Sequence, residues 1–521
     1  MGLPNPSRKT PSAGSYPRLC LAPGVPEIVL ERHGIGLEKR GIKIHKSNAP
    51  YPARCAFTKR LPSLLKVPLQ GADTELCVQR YTYPPMRLGT QRVNAQGHLE
   101  VGGCDTVQLA EQYGTPLYVL DEEAFRARCR EYRSAFVGFK PDVEVVYAGK
   151  AALNRAICQI VAEEGLGLDV ASGGELYTAL QAGFPPAKIH LHGVYKTEAE
   201  LQMALEAGVG AIVIDNFEEI ARVRRLAGDM GVGRAVPVWV RVAPEVDAET
   251  HPLIRTGQRD SKFGFHLISG DAYRAVEQVL GAPELDLRGF HCHIGSQISD
   301  LSAFAAAARA MVAFAAEVRC RYRYTAQLLN IGGGLAVRYL PEDQPPSVSA
   351  YAEALVRALR AACAEHNFPE PALVVEPGRS LIAEAGITLY RVGAVKHIPH
   401  EHPELPHDYL IVDGGVSDNP RPQMYGARYT AWHAQRADQP HTHPYRIMGR
   451  HCETDPIIDR ALLPETHAGD LVAILTTGAY AYSMSSNYNR YPRPAMVAVR
   501  NGTARLIVAR ETYADVMRMD R

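Results

Sequence analysis

Several apolar runs of the chain end in polar or glycine residues that could do chemistry together. Lys150 directly follows one of these runs, EVVYAG at 144–149. A desolvated lysine is partly neutral, and its amine can then bond covalently to the carbonyl carbon of an aldehyde cofactor. A solvated surface lysine would have the same local sequence, so this chemistry needs supporting groups elsewhere in the chain.

Two glycine-containing segments offer groups that bind anions. IGGG at 331–334 exposes backbone N–H groups and lets a phosphate approach closely. In EPGR at 376–379, Arg379 can bind a phosphate or a carboxylate with its guanidinium, and Glu376 can pair with a ring nitrogen. Either segment alone could instead be an ordinary turn with a structural Glu/Arg pair.

Two histidines end another apolar run, in HCHIGS at 291–296. We expect His291 and His293 to point to opposite sides of the strand, so that only one faces the site and the other is a hydrogen-bonded core residue. The HxH spacing also suits a metal ion, but no acidic or third histidine partner is evident in the nearby sequence. The sequence therefore predicts no metal site.

The spacing of apolar residues predicts the elements that bring these groups together. Strand-like runs occur at 144–149, 166–171, 188–193, 211–216, 236–243, 287–295, 327–333 and 372–376. Helix-like stretches such as 217–228 and 301–318 separate them, which indicates a parallel sheet covered on both faces. Eight such units predict a (β/α)8 TIM barrel with the polar residues at its C-terminal face. A doubly wound open sheet is the alternative.

After residue 385 the pattern changes, because strand-like runs follow one another without helices. They are 387–394, 408–413, 471–476, 495–499 and 504–509. The fold class is therefore α/β plus all-β, with a β-sandwich or β-barrel as the second, C-terminal domain. We expect the cofactor-binding barrel at 121–385, the β domain at 386–521, and N-terminal strands at 86–120 that join the β domain.

The first 85 residues differ from the rest of the chain. They hold 12 of the 37 prolines, and 13 Lys/Arg against five Asp/Glu. We expect this segment to be a disordered extension, with Met86 as the natural first residue. An organellar targeting peptide is the alternative.

Composition excludes several classes of function. Lys plus Arg (57) and Asp plus Glu (56) nearly cancel, which argues against a nucleic-acid or membrane-surface role and favours a small-molecule substrate. The ten cysteines contain no CxxC pair, which is typical of reduced thiols in a cytoplasmic protein. We find no apolar run long enough to be interpreted as a membrane span.

Taken in order, Lys150, HIGS, GGG and EPGR resemble the alanine-racemase-type (fold III) family of pyridoxal-phosphate decarboxylases. Within that family the chain is most similar to the diaminopimelate decarboxylase branch, over residues 86–521. Further matching stretches are LGLDVASGGEL (166–176), TGQRDSKFGF (256–265), VDGGVSDNPRPQMY (412–425) and GAYAYSMSSNYN (478–489). The resemblance implies pyridoxal 5'-phosphate as cofactor and decarboxylation of meso-2,6-diaminopimelate to L-lysine, the last step of lysine biosynthesis.

The resemblance also implies how the cofactor is held. Lys150 would be its covalent anchor, His293 would stack on its ring, and Glu376 would bind the ring nitrogen. Arg379 would serve the phosphate or a substrate carboxylate. The positions that match the remaining cofactor contacts are Asp169, Arg241, Ser296, Gly332, Gly333, Gly334 and Tyr480.

On the substrate side, the resemblance assigns Arg421, Tyr425 and Tyr480 to substrate contacts. Cys452 matches a proton-donating cysteine, and Glu453 matches the residue that reads the distal amino group. In the family this pair enters the active site from the other subunit, which implies a homodimer with shared active sites. A buried, inert thiol is the alternative for Cys452.

The chain departs from the family pattern at three places. CETD at 452–455 replaces the usual CESGD, HGVYK at 192–196 replaces HGNNK, and KAAL lacks the asparagine that usually follows the lysine. Two other functions remain open. One is a lyase acting on ornithine, arginine or carboxynorspermidine, against which Arg421 argues. The other is a non-catalytic cofactor-binding relative, against which the presence of Lys150 and Cys452 argues.

Overall fold

A computed structural model of the chain describes residues 86–140, 142–246, 261–402 and 404–521. The extension predicted at 1–85 lies outside these residues. So does the larger part of the TGQRDSKFGF stretch, of which the structure describes SKFGF at 261–265.

The described chain begins with a small antiparallel sheet followed by one helix. The strands are β1 (Arg92–Val93), β2 (Leu99–Val101) and β3 (Cys104–Asp105). Helix α1 (Thr106–Tyr113) begins at Asp105, whose carboxylate accepts a hydrogen bond from Val107 N. Strand β4 (Leu117–Asp121) and helix α2 (Glu122–Ala135) then lead into the largest part of the fold.

Parallel strands in the middle of the chain form a closed barrel. In chain order they are β5 (Val143–Ala148), β6 (Gly167–Val170), β7 (Ile189–Leu191), β8 (Ala211–Ile214), β9 (Val236–Ala243), β10 (Phe265–His266), β11 (Leu285–His291), β12 (Leu328–Asn330) and β13 (Ala372–Val375). Pairing of β13 with β5 and of β8 with β9 closes the barrel, and the short β10 lies beside β9. The predicted (β/α)8 barrel is confirmed, and the open-sheet alternative is wrong.

Helices follow most barrel strands and cover the outside. They are α3 (Arg155–Glu163), α4 (Gly173–Gln181), α5 (Glu198–Ala207), α6 (Phe217–Asp229), α7 (Asp271–Leu280), α8 (Leu301–Tyr322), α9 (Val348–Glu365) and the short α10 (Arg379–Ile382). Asn154, Ser172, Thr197 and Asn216 cap four of them by accepting from a backbone N–H of the first turn. Such caps satisfy N–H groups that the helix itself leaves unpaired.

Helix α8 is apolar enough, by length and composition, to cross a membrane. The sequence analysis overlooked this run. In the structure α8 packs against α9, and the rings of Phe304 and Tyr351 lie 4.9 Å apart at the contact. Both rings are almost fully buried, so α8 is a core helix of the barrel layer.

The C-terminal part is built almost entirely from strands. They are β14 (Gly386–His397), β15 (Asp408–Val412), β16 (Ala431–His433), β17 (His443–Met448), β18 (Pro456–Leu463), β19 (Leu471–Ile474), β20 (Ala495–Arg500) and β21 (Thr503–Val508), with the short helices α11 (Arg421–Tyr425) and α12 (Tyr513–Met517). The all-β character predicted for this part is confirmed. Strand β4 pairs antiparallel with β14 and parallel with β20, inside this sheet. The exact division of the chain at residues 120 and 385 stays a prediction.

Replacing Phe304 by alanine tests the role of α8 as a core helix. The change removes a ring with 0% exposure and leaves a cavity between α8 and α9, so we expect the free energy of unfolding to fall. Similar substitutions cost about 3–5 kcal/mol, measured by urea denaturation followed by circular dichroism. Arg309→Ala, on the exposed side of α8, is the control and should change stability by less than about 0.5 kcal/mol. Equal losses in both variants would contradict this packing.

Candidate active site

The C-terminal ends of the barrel strands and two loops of the β domain enclose a cavity of about 580 Å³. Eleven residues singled out in the sequence line it: Lys150, Asp169, His293, Ser296, Gly333, Gly334, Glu376, Arg379, Arg421, Tyr425 and Tyr480. Gly332 and Arg241 lie beside its lining, and Cys452 and Glu453 are not part of it. Residues that are far apart in sequence therefore meet in one space.

Lys150 lies on a single 3-10 turn, Gly149–Ala151, directly after β5. Its side chain reaches the cavity, where it is exposed. The carbonyl of Ala151 accepts hydrogen bonds from Tyr480 N at 2.7 Å and from the Ser483 hydroxyl at 3.1 Å. A loop of the β domain thus holds the turn that carries the lysine.

The glycine loop after β12 packs directly against the end of β13. A Cβ on Gly333 would lie 2.0 Å from the carbonyl oxygen of Glu376, and one on Gly334 would lie 2.4 Å from that of Gly295. Gly334 also has φ +126°, a region that favours glycine. Only glycine allows the loop to pack this closely, and Gly333 and Gly334, which we call the glycine wall, also line the cavity.

Glu376 lies at the centre of a buried polar group formed with His192, His291 and Asn330, which we call the Glu376 cluster. Its carboxylate oxygens lie 3.0 Å from Nε2 of each histidine and accept a 2.6 Å hydrogen bond from the Asn330 amide. Burial alone would raise the pKa of Glu376, but the two histidines hold it well below its ordinary value. The cluster therefore keeps an ionised carboxylate in the cavity wall.

The pKa values of the two histidines of the cluster are shifted in opposite directions. Burial alone lowers the pKa of each, but Asp169 and Glu376 raise the pKa of His192 above its ordinary value. For His291 burial prevails, and its pKa falls to about 4. At neutral pH, His192 is accordingly the member of the cluster that favours the charged form.

The expectation that His291 and His293 point to opposite sides of the strand is wrong. Residues two apart in a strand share a face, and both histidines lie on the inner side of the barrel. His291 contacts Glu376 beneath the cavity, while His293, just beyond the end of β11, lines the cavity itself. Burial lowers the pKa of His293 well below its ordinary value.

The sequence analysis also missed the partners of His291. The ligand atoms of His192, His291 and Glu376 all lie within 4.8 Å of one another, so an acidic residue and a further histidine are present after all. Their mutual contacts already account for this proximity without an ion. The expected absence of a metal site stays a prediction.

Two buried arginines also line the cavity. Arg379 donates from Nε to the Ser296 hydroxyl at 3.1 Å and from Nη1 to the Tyr339 hydroxyl at 2.6 Å. Arg421 of the β domain donates from Nη1 to the hydroxyls of Tyr339 at 3.1 Å and Tyr429 at 2.7 Å. The cavity wall therefore carries two guanidinium groups in addition to the carboxylates of Glu376 and Asp169.

Arg241 lies beside the cavity lining and is oriented by two contacts. Its Nη1 is 3.5 Å from a carboxylate oxygen of Asp215, and its guanidinium lies 4.6 Å from the centre of the Phe263 ring. Asp215 also accepts a hydrogen bond from Gly264 N at 2.9 Å. The SKFGF stretch thus serves to orient Arg241.

Cys452 and Glu453 lie on the exposed surface of the β domain. Cys452 N donates to the Asn489 side chain at 3.3 Å, and Glu453 accepts a hydrogen bond from the Tyr488 hydroxyl. The alternative of a buried, inert thiol is wrong, since Cys452 is exposed. Within one chain, neither residue lines the cavity that contains Lys150.

Asp455 anchors the shortened CETD segment. Its carboxylate accepts from Nδ1 of His451 at 2.6 Å, from Val416 N at 2.8 Å and from the Gln423 amide at 3.1 Å. These contacts join the segment to the loop that precedes and includes α11, which carries Arg421. The CETD segment, although one residue shorter than the family pattern, thus stays in contact with the loop that carries Arg421.

Sequence reasoning missed four members of the site: His192, Asn330, Tyr339 and Tyr429. Asn330 is next to the IGGG segment and His192 begins HGVYK, so proximity to known segments could have indicated both. Tyr339 and Tyr429 carry no such signal. Their role depends on contacts between the barrel and the β domain.

Comparisons with known proteins agree with this geometry. Residues 122–383 match the family model of the pyridoxal-dependent decarboxylases, pyridoxal binding domain. Diaminopimelate decarboxylase of Bacillus subtilis is 47% identical over 433 residues, which cover 83% of this chain and 97% of that protein. The same enzyme of Mycobacterium tuberculosis is 43% identical over 426 residues, 81% of this chain and 94% of the relative.

Solved structures give the same result. Diaminopimelate decarboxylase from M. jannaschii in complex with L-lysine is similar with a TM-score of 0.75 and 34% identity, over 83% of this chain and 98% of that one. The Helicobacter pylori enzyme complexed with L-lysine has a TM-score of 0.71 and 29% identity, over 80% of this chain and 99% of that one.

A (β/α)8 barrel with a lysine and a glycine loop at its mouth, joined to a β domain, is the architecture of a pyridoxal-dependent decarboxylase. The matches extend over both parts of the described chain and over nearly the whole length of the relatives. Within that class, the chain belongs to the diaminopimelate decarboxylase family.

Replacing Gly333 by alanine tests the glycine wall. The new Cβ would overlap the backbone carbonyl of Glu376, so the end of β13 must move. We expect a loss of about 1–3 kcal/mol in the free energy of unfolding, measured by urea denaturation, together with weaker binding of pyridoxal phosphate.

Gly228→Ala in α6 is the matched control, because no atom lies within 4 Å of its new Cβ. It should leave both quantities unchanged or raise stability slightly. If Gly333→Ala were as stable as this control, the loop would accommodate the Cβ, and the close packing of Gly333 against Glu376 would be contradicted.

Proposed function

We propose that the chain decarboxylates meso-2,6-diaminopimelate to L-lysine and CO2, the last step of lysine biosynthesis, with pyridoxal 5'-phosphate as cofactor. The observation that carries the proposal is one cavity with a lysine, an ionised buried carboxylate and two buried arginines on its walls. The identity of 43–47% to diaminopimelate decarboxylases over most of the chain supports the same reaction.

The residues present fit this cofactor. Backbone N–H groups of the glycine loop and the hydroxyl of Ser296 would bind the phosphate, and Lys150 would hold the aldehyde carbon. Asp169 and Arg241 would support the region around Lys150, and His293 would lie against the ring. When bound, pyridoxal phosphate withdraws the electron pair that a departing carboxylate leaves on Cα.

Glu376 decides which reaction follows. A carboxylate that stays ionised beside the ring nitrogen keeps a proton on that nitrogen and so favours full electron withdrawal. His192 and His291 hold Glu376 in that state. A neutral or cationic partner would suit racemisation instead, so the Glu376 cluster supports decarboxylation.

The far end of the substrate supports diaminopimelate over simpler amino acids. Diaminopimelate carries a second amino-acid centre, which needs both an anion clamp and an ammonium acceptor. Arg379 and Arg421 supply the clamp, Tyr425 and Tyr480 line the same space, and Glu453 would accept the ammonium group. An ornithine-like substrate has no far carboxylate and would leave the arginines unpaired.

A homodimer with shared sites would bring the missing groups to the cavity. The Cys452–Glu453 segment is exposed and outside the cavity of its own chain, which supports a role in the site of a two-fold partner. There Cys452 would return a proton to Cα, with Lys150 as the alternative donor. We further propose a cytoplasmic location and the domain boundaries near residues 120 and 385.

Carbon dioxide release from meso-diaminopimelate by the purified protein tests the reaction. Because the site offers hydrogen bonds to a second amino-acid centre, kcat/KM should be at least about 10³-fold lower for ornithine, arginine and lysine. Equal turnover of ornithine would refute the substrate assignment. The cofactor assignment is checked separately, since Lys150→Ala should lack the visible absorbance of covalently bound pyridoxal phosphate.

Mixed dimers test whether the sites are shared. Lys150→Ala and Cys452→Ala should each be nearly inactive alone. If each site takes Lys150 from one subunit and Cys452 from the other, free exchange of subunits restores about a quarter of wild-type activity. Mixing Lys150→Ala with the double variant, as control, should restore none. Absence of recovery in the first mixture, with exchange demonstrated, would refute shared sites.

A further inference from the structure

Tyr339 joins the two arginines of the cavity. It lies beyond the glycine loop, is 7% exposed and lines the cavity. Its hydroxyl oxygen accepts hydrogen bonds from Nη1 of Arg379 at 2.6 Å and from Nη1 of Arg421 at 3.1 Å. One phenol oxygen therefore bridges a guanidinium of the barrel and a guanidinium of the β domain.

Among the described residues, no carboxylate neutralises the bridged arginines. Within the described residues, the hydrogen-bond acceptors of both are hydroxyl groups, and neither forms an ion pair with an acidic side chain. The ring of Tyr480 faces both guanidinium groups, 4.8 Å from Arg379 and 5.9 Å from Arg421. Two like charges held this close repel each other, so an anion placed between them is strongly favoured.

The electrostatic effect is also evident on the phenol. Burial alone would raise the pKa of Tyr339, but the guanidinium groups of Arg379 and Arg421 lower it below its ordinary value. Its oxygen thus lies in a strongly positive field. A carboxylate bound next to the two guanidinium groups would be stabilised by the same positive field.

The bridge also sets the orientation of Arg421. Its Nη1 has two N–H groups, and the hydroxyls of Tyr339 and Tyr429 accept from that nitrogen. A guanidinium has five N–H donors, so the edge formed by Nε and Nη2 is left for a ligand. That edge has the fork geometry that binds a carboxylate with two parallel hydrogen bonds.

We propose that Tyr339 is a positioning residue that sets Arg379 and Arg421 to receive the carboxylate at the far end of the substrate. The proposal rests on the proposed function and adds a determinant of its specificity. In this proposal Tyr339 acts on recognition of the far carboxylate and not on bond breaking. A merely structural bridge between barrel and β domain would instead affect all ligands alike.

The test compares two ligands that differ only in that carboxylate. L-lysine keeps the far carboxylate of diaminopimelate, whereas cadaverine is the same chain without it. In Tyr339→Phe holoenzyme we expect L-lysine, measured by titration calorimetry, to bind at least about 10-fold more weakly, the usual effect of losing a hydrogen bond to a charged group. The inhibition constant of cadaverine should stay within about 2-fold of wild type by the same principle.

Steady-state kinetics add a second readout. In Tyr339→Phe, KM for meso-diaminopimelate should rise by about 10-fold or more while kcat changes by less than about 3-fold. Tyr429→Phe is the matched control, because it removes one phenol contact of Arg421 and leaves the bridge to Arg379 intact. Its effect on L-lysine binding should be the smaller one.

If Tyr339→Phe weakened the binding of L-lysine and of cadaverine equally, or changed neither, the proposal would be overturned. CO2 release by the wild-type protein would still uphold the proposed function in that case. A wild-type protein inactive on meso-diaminopimelate would instead refute that function. If Tyr339→Phe does not fold, Tyr339→Gln replaces it, since its shorter side chain stays polar but ends short of the position of the phenol oxygen and cannot bridge the two guanidinium groups in the same geometry. There too, the loss of affinity must be specific to L-lysine.

Discussion

Compensation of buried charge is the constraint on which the whole site depends. Glu376 can stay ionised inside a barrel only because His192, His291 and Asn330 donate to it or lie against it. Lys196, in the HGVYK departure from the family pattern, is buried just as deeply and is paired with Glu219 at 2.8 Å.

Arg379 and Arg421 differ from these buried charges in the groups that they contact. Arg379 and Arg421 are buried, yet their acceptors are neutral hydroxyl groups. Glu376 and Lys196 are thus each paired within the chain, whereas these two cations have no acidic partner among the described residues. Buried cations without an acidic partner at a cavity are typical of a site that binds an anionic group such as a carboxylate.

Much of the fold was predictable from the sequence because buried parallel strands are continuous apolar runs. All barrel strands except the two-residue β10 were located to within a few residues, as was the helix at 217–228. Strands β16, β17 and β18 were missed. Segments such as PIIDRALL carry a proline and adjacent charges at exposed positions, so their pattern resembles a loop.

The site was less predictable, since a sequence shows which groups end a strand but not what lies opposite. The barrel rule brought Lys150 and Glu376 to one face without any structure. The contact between His192 and Glu376 spans 184 positions of the chain and depends on barrel closure. The histidine error had another origin, a mistaken strand alternation, and was avoidable.

The barrel and the β domain supply different groups of the candidate site, so the site needs both. The barrel supplies Lys150, the glycine wall and the Glu376 cluster, which together concern the cofactor. The β domain supplies Arg421, and its backbone clamps the lysine turn through the carbonyl of Ala151.

Contacts between the two parts also fix their relative position at the site. Hydroxyl groups of Thr430 and Thr476 donate to the carbonyls of Tyr339 and Arg338, on either side of the cavity wall. The β domain thus holds the backbone around Tyr339, and the hydroxyl group of Tyr339 in turn holds Arg421 of that domain. If these residues recognise the far end of the substrate as proposed, recognition and the contact between the two domains depend on one set of residues, and a change in either would alter the other.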